Sequence, residues 1–227
     1  MKPTPRLSHA LALLLPVLLV ASTGCDIAMA DFREQQTEEW RKAYDFQAGG
    51  RIEISNINGK IDVSAGEGNR VEIVAKKVGR ASSPEAAKEA LSRIQIVDST
   101  SGGVIKVETR ADRSGGFFNH SRGQVEYTLR VPAGAELKLA TVNGGVEVNG
   151  ISGRVVAEAT NGGVRGRDIS GAFEATTTNG GVEVDLASLA PEGIRMECTN
   201  GGISVTLPKD AKATLSARAT NGGIDTD

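Results

Sequence analysis

Five copies of Asn-Gly-Gly constrain this chain more than any other feature. They stand at Asn143-Gly144-Gly145, Asn161-Gly162-Gly163, Asn179-Gly180-Gly181, Asn200-Gly201-Gly202 and Asn221-Gly222-Gly223, separated by 18, 18, 21 and 21 residues. A fixed period near 20 residues is the mark of stacked supersecondary units. Aligned on the Asn, positions −6, −4 and −2 are Leu137/Leu139/Thr141, Val155/Ala157/Ala159, Phe173/Ala175/Thr177, Ile194/Met196/Cys198 and Leu215/Ala217/Ala219. The positions between them include Lys138, Glu158, Thr160, Glu174, Thr178, Arg195, Glu197, Thr199, Arg218 and Thr220. Alternation with period two gives a strand with one apolar face. After the glycines, Val146/Val148, Val164, Val182/Val184, Ile203/Val205 and Ile224 face one way, and Glu147, Arg165, Glu183, Ser204 and Asp225 face the other.

Each repeat therefore reads as strand, Asn-Gly-Gly corner, strand and a second turn such as Ser152-Gly153 or Ser170-Gly171. The glycines are expected to supply positive φ where a Cβ would clash. Rungs stacked in register would also let the Asn side chains form an amide ladder. Small Ala at −4 and −2 suits a narrow interior. The longer repeats place three extra residues in a loop, as in 187–193, which costs a solenoid little. Two architectures satisfy this pattern. One is a β-solenoid-like stack; the other is an antiparallel β meander, because Asn-Gly is also a strong hairpin turn. The solenoid ranks first, because a meander needs a second covering layer and residues 136–227 contain no amphipathic helix to supply it.

The first half reads as an α+β cap on that stack. Arg51 to Val63 resembles a degenerate rung, with Asn58-Gly59-Lys60 in place of Asn-Gly-Gly. Strands are expected at 71–77, 94–97, 104–109 and 125–131. Ser83-Pro84-Glu85 opens a helix through Leu91, with Ser83 as N-cap and Pro84 at the first helical position. The organisation expected is a signal peptide with lipobox over 1–25, a polar tether or short helix over 26–46, a capping part over 47–132 and the repeat over 133–227.

Lys2 and Arg6 precede an apolar run from Leu11 to Val20, too short for a bilayer span of roughly 20 residues but suited to a signal peptide. Ala21-Ser22-Thr23-Gly24-Cys25 then resembles a lipobox, in which Cys25 takes a lipid and becomes the new N-terminus. Ser22 stands where such sites usually carry Leu. The rival is cleavage after Ala28-Met29-Ala30. The lipobox ranks first on its distance from the apolar run, and it makes the chain lipid-anchored in the envelope; the rival makes it periplasmic or secreted.

Little in the chain points to catalysis. Two His and two Cys among 227 residues leave no His/Cys zinc framework or disulfide scaffold to build. His120 lacks a nucleophile elbow and reads as a loop histidine. Cys198 sits at an inward position and reads as a buried, unreactive thiol. Gly162 to Asp168 loosely matches a calcium nonapeptide, but Arg165 and Arg167 oppose a cation. Glu147, Glu158, Glu174, Glu183 and Glu197 recur with the repeat instead of interrupting it, as solvated faces do. A balance of 26 basic and 28 acidic residues gives no footprint for nucleic acid. No cofactor, metal or catalytic residue is expected.

The segments Ile-Ser-Asn-Ile-Asn-Gly-Lys-Ile-Asp-Val, Pro-Glu-Ala-Ala-Lys-Glu-Ala-Leu and Tyr-Thr-Leu-Arg-Val-Pro-Ala-Gly-Ala, followed by the iterated Thr-Asn-Gly-Gly-Val-Glu-Val, resemble, in that order, a bacterial β-strand-repeat domain of unknown function labelled "putative adhesin". The resemblance covers about residues 46–227. It implies a β-solenoid-like fold, an envelope location and no known activity or cofactor; some relatives lie near envelope-stress genes. The expected role is a non-catalytic binding or scaffold protein whose partner is an envelope protein or glycan. The alternatives are a component of envelope-stress signalling and a polysaccharide-active β-helix enzyme. The chain stops four residues after Gly223, so the last rung is expected to be the least ordered and a surface for self-association.

Overall fold

The computed structural model describes residues 34–111, 122–209, 211 and 216–226. Cys25 with both export readings, His120 and Leu215 lie outside the described residues.

Two sheets run the length of the molecule. The first has the order β1 (Glu34–Asp45), β4 (Arg70–Ala81), β7 (Arg122–Pro132), β3 (Ile61–Gly66), β9 (Val146–Asn149), β11 (Val164–Ile169), β13 (Val182–Leu186), β15 (Ile203–Thr206), β17 (Ile224–Thr226). The second has the order β5 (Ile94–Ser101), β6 (Val104–Ala111), β2 (Arg51–Asn58), β8 (Glu136–Asn143), β10 (Val155–Asn161), β12 (Phe173–Asn179), β14 (Ile194–Asn200), β16 (Ser216–Asn221). Strands joined by an Asn-Gly-Gly corner therefore belong to opposite sheets, and each pairs with its counterpart one repeat away.

All pairings within the repeat are parallel. Asn161 lies opposite both Asn143 and Asn179, and Asn200 opposite both Asn179 and Asn221. Repeats of 18 and 21 residues keep this register, because Phe173 still pairs with Ile194 across the longer connection. This is the solenoid; the meander does not occur, because no repeat strand is antiparallel to its chain neighbour. Side chains at −6, −4 and −2 meet the Val and Ile of the other sheet between the layers. Leu139, Val146, Val155, Ala157 and Met196 are all fully buried there. A core of small and β-branched residues is what two closely spaced parallel sheets can hold.

The same two sheets continue into the first half. Asn58 pairs with Asn143, and Ile61 with Val146, so β2 and β3 form a rung in register with the others. Antiparallel pairing begins only beyond them, in β1–β4–β7 and β5–β6. Helix α1 (Pro84–Ser92) packs against this end through Ala87, Ala90 and Leu91, with Ser83 accepting the Ala86 amide at 3.2 Å as N-cap. Gly79 permits the approach: a Cβ there would lie 2.3 Å from the Ala87 carbonyl oxygen.

One element departs from expectation. The polar stretch after residue 33 is not a tether or helix but β1, a 12-residue edge strand along β4. Trp40 and Tyr44 share one face with Lys42 between them and pack on the core, while Glu39 and Arg41 on the other face stay in water. Asp98 of β5 accepts from Lys42 at 2.5 Å and from the Tyr44 hydroxyl at 3.0 Å, joining the edge strands of the two sheets.

Candidate functional site

The corners set the geometry of everything the stack presents. The first glycine of each corner has φ between +147° and +159°, and Gly59 of the degenerate rung has +120°. A Cβ on Gly162 would lie 2.0 Å from the Gly144 oxygen, and one on Gly180 would lie 2.3 Å from the Gly162 oxygen. Both conformation and space therefore demand glycine at this position. The second glycine is different: its φ lies outside the left-handed range, and a Cβ on Gly202 would meet the Gly223 oxygen at 3.6 Å.

The Asn side chains form one continuous ladder. Asn143 donates to Asn58 at 2.7 Å, Asn161 to Asn143, Asn179 to Asn161 and Asn200 to Asn179 each at 2.9 Å, and Asn221 to Asn200 at 2.8 Å. Every amide donates toward the N-terminal end, so the bond dipoles add along the stack. A second column runs inside. Thr141, Thr177 and Cys198 at −2 donate to the carbonyls of Gly59, Gly162 and Gly180 at 3.2, 2.8 and 3.0 Å. Ala159 and Ala219 at −2 supply no such donor. Burial pushes the Cys198 thiol above its ordinary pKa, which favours the protonated form. The hydrogen-bonding duty of this position was not legible in the sequence, where −2 belongs to the apolar face, because the receiving carbonyl belongs to the previous rung.

Outside, like positions also form columns. Thr160, Thr178, Thr199 and Thr220 are exposed beside the Asn ladder, with Val142 in the same column on the first full rung. On the face of the first sheet, Lys60 bonds Asp62 at 3.0 Å and Glu147 at 2.8 Å. Arg165 bridges Glu147 at 3.5 Å and Glu183 at 2.7 Å. On the other sheet Arg154 pairs with Glu174 and Arg195 with Glu197. Hydrogen bonds from Lys60 and from Arg195 hold Glu147 and Glu197, respectively, below the usual carboxylate range. Glu158 stands exposed on the second sheet. Of the recurring carboxylates, Glu147, Glu174, Glu183 and Glu197 each bond a cation of the same or a neighbouring rung; Asp62 lies opposite Glu147, and Lys60 bonds both. Lys60 was legible only as a defect in the corner motif; the structure gives it the first cation of this charge column.

Among the described residues no group of three or more His, Cys, Asp or Glu side chains is placed to hold a metal ion, and no helix is long and apolar enough to cross a membrane. A family model described as Toastrack DUF4097 matches residues 51–227. The chain is similar to the crystal structure of a "putative cell adhesion protein" from Clostridium sporogenes, at 12% identity and TM-score 0.45, over 84% of this chain and 99% of that one. It is also similar to a "putative adhesin" from Bacteroides fragilis (12% identity, TM-score 0.35, 84% and 97% covered). A "putative lipid binding protein" from Parabacteroides distasonis is matched at 14% identity and TM-score 0.36, over 87% and 98% of the two chains. No curated protein matches.

Proposed function

The chain belongs to the Toastrack DUF4097 family, and from that premise we propose that it is a non-catalytic binding or scaffold protein of the bacterial envelope. The observation that carries this reading is the pairing of its outward carboxylates. A glycosidase needs one carboxyl group kept protonated near neutrality to act as general acid. Here hydrogen bonds from Lys60 and Arg195 hold Glu147 and Glu197 the other way, below the usual carboxylate range. What the stack offers is a rigid ruler of hydroxyls, amides and compensated charges at a fixed spacing, which suits recognition of a repeating surface. The N-terminal segment supplies export, with Cys25 as the lipid anchor or, alternatively, release after Ala30. The partner is an envelope protein or glycan.

The test is cosedimentation of the full chain with isolated envelope fractions, with new reducing ends measured in parallel. Saturable retention without cleavage is the expected result. Sustained release of reducing ends, or no retention by any fraction, would overturn the role.

A further inference from the structure

The peptide between the two corner glycines has left the backbone ladder. The ladder is kept by the first glycine, whose N–H donates to the Asn carbonyl of the next rung: Gly144 to Asn161 at 2.9 Å, Gly162 to Asn179 at 2.8 Å and Gly180 to Asn200 at 2.9 Å. It resumes at the residue after the corner, with Val146 donating to Gly163 at 3.0 Å and Val164 to Gly181 at 2.9 Å. Between these bonds, the carbonyls of Gly59, Gly162 and Gly180 accept from the core-side Thr141 hydroxyl, Thr177 hydroxyl and Cys198 thiol. No described peptide bond is cis. In a trans peptide the N–H lies opposite the C=O, so the next amide turns away from those core-side groups. The N–H groups of Lys60, Gly145, Gly163, Gly181, Gly202 and Gly223 accordingly have no acceptor among the described residues. They make a column of six backbone donors, one per rung, about 4.8 Å apart.

Three open grooves lie end to end over this column. The first, about 670 Å³, is bounded by Asn58, Lys60 and Asn143, with Arg80 from β4. The second, about 320 Å³, runs over Gly145, Gly163 and Gly181 beside Glu147, Arg165 and Glu183. The third, about 580 Å³, continues over Gly181, Gly202 and Gly223. Asn58 and Asn143 border the first groove, and the Asn ladder continues alongside, two residues before the second glycine of each corner. Each ladder bond uses one amide hydrogen and one lone pair per Asn, which leaves a further hydrogen and lone pair on the side chain. The flank of the lane is the column Lys60–Glu147–Arg165–Glu183, whose charges are paired along the stack.

Resting on the binding role proposed above, we infer that this lane is a track for an uncharged, extended β-linked glycan lying along the stack axis, about one sugar per rung. The donors call for a row of oxygen acceptors, while the Asn and Glu oxygens call for donors. A hydroxyl answers both. Cations and anions alternate along the flank, with Arg80 at one end and Asp225 at the other, so the lane presents no run of one sign to recruit a polyanion or a polycation. A peptide strand advances about 3.3 Å per residue and turns every second carbonyl to one side, a repeat of about 6.6 Å that falls out of step with the rungs. A sugar in an extended β-linked chain advances by nearly one rung, and because successive sugars are turned over, like-facing hydroxyls recur at nearly every second rung and stay in step with the stack. The glycine floor carries no side chain to hold such a ring away from the N–H groups.

The test is titration of the glycine-¹⁵N-labelled full chain with chitohexaose. The amide resonances of Gly145, Gly163, Gly181 and Gly202 should shift together and saturate, and chitobiose should bind about tenfold more weakly or worse, because it spans only two rungs. Gly202→Ala, for which the backbone has room, should keep the melting temperature and lower the affinity about fivefold or more by raising the floor. Undiminished affinity in that variant would overturn the track. So would stronger shifts of these amides with oligogalacturonate or with an uncharged extended peptide. Silent lane amides in a protein that envelope fractions retain would overturn the track and leave the binding role standing; failure of the sedimentation assay would remove the role itself.

Discussion

Single residues carry the fold at two kinds of position. The first is the glycine after each Asn. Gly162→Ala forces φ of +154° on a residue with a Cβ and sets that atom 2.0 Å from the Gly144 oxygen. It should cost about 1–3 kcal/mol in urea denaturation, whereas Gly202→Ala should change stability by about 0.5 kcal/mol or less. Equal losses in the two would mean that the glycines of a corner are equivalent. The second is the ionic tie at the capped end. The Lys42 hydrogen bond, opposed by partial burial and reinforced by the Tyr44 hydroxyl, holds Asp98 below its ordinary pKa. Burial and the Asp98 hydrogen bond raise Tyr44. A depressed carboxyl stabilises the fold above its unfolded pKa of about 3.9 and ceases to do so as pH falls through the lower folded value. Asp98→Asn should therefore cost about 1 kcal/mol at neutral pH, with the difference from wild type vanishing in acid. A difference that persists at pH 2 would assign the loss to packing instead.

At the scale of elements, the stack rests on agreement between neighbours. Thr177 is buried and its hydroxyl satisfies the Gly162 carbonyl. Thr177→Val keeps the shape and removes the donor, which should cost about 1–3 kcal/mol in thermal melts. Ala159→Thr is the converse: it restores at the Gly144 corner the donor that rung lacks, and a match in stability between these two variants would show the bond to be idle. Much of this level was legible beforehand. The Leu137/Leu139 and Val146/Val148 alternation fixes which faces meet, and the Asn spacing fixes the register. Asn58-Gly59-Lys60 was recognisable as a rung because a single Lys breaks the motif. Strand β1 was not legible. Glu34 to Lys42 is charged enough to read as solvated chain, and only pairing along β4 reveals that Trp40 and Tyr44 share a face. The free amides of the second glycines were equally hidden, since hydrogen-bond direction is a property of the folded corner and not of composition.

For the whole molecule, two sheets share one narrow core from the α1 end to the last described rung, and order should follow how each rung is covered. Inner rungs have a neighbour on both sides; β16 and β17 each have a described neighbour on one side, and Ile224 is 47% exposed. Hydrogen exchange should be slowest across 155–184 and clearly faster across 216–226. Uniform protection in a demonstrated monomer would contradict this gradient. The binding role and the glycan track both depend on one claim, that equivalent side chains of successive repeats stand in straight columns one strand apart. Spin labels on the exposed Thr160 and Thr220, in a background without other cysteines, measure it directly. The parallel stack places their backbones three strand spacings apart, about 14 Å, whereas a meander of the same strands would separate them by six spacings, about 29 Å. A dipolar distance consistent with the shorter value, once label length is allowed for, is the expected result; a distance near the longer value would show that the columns do not exist.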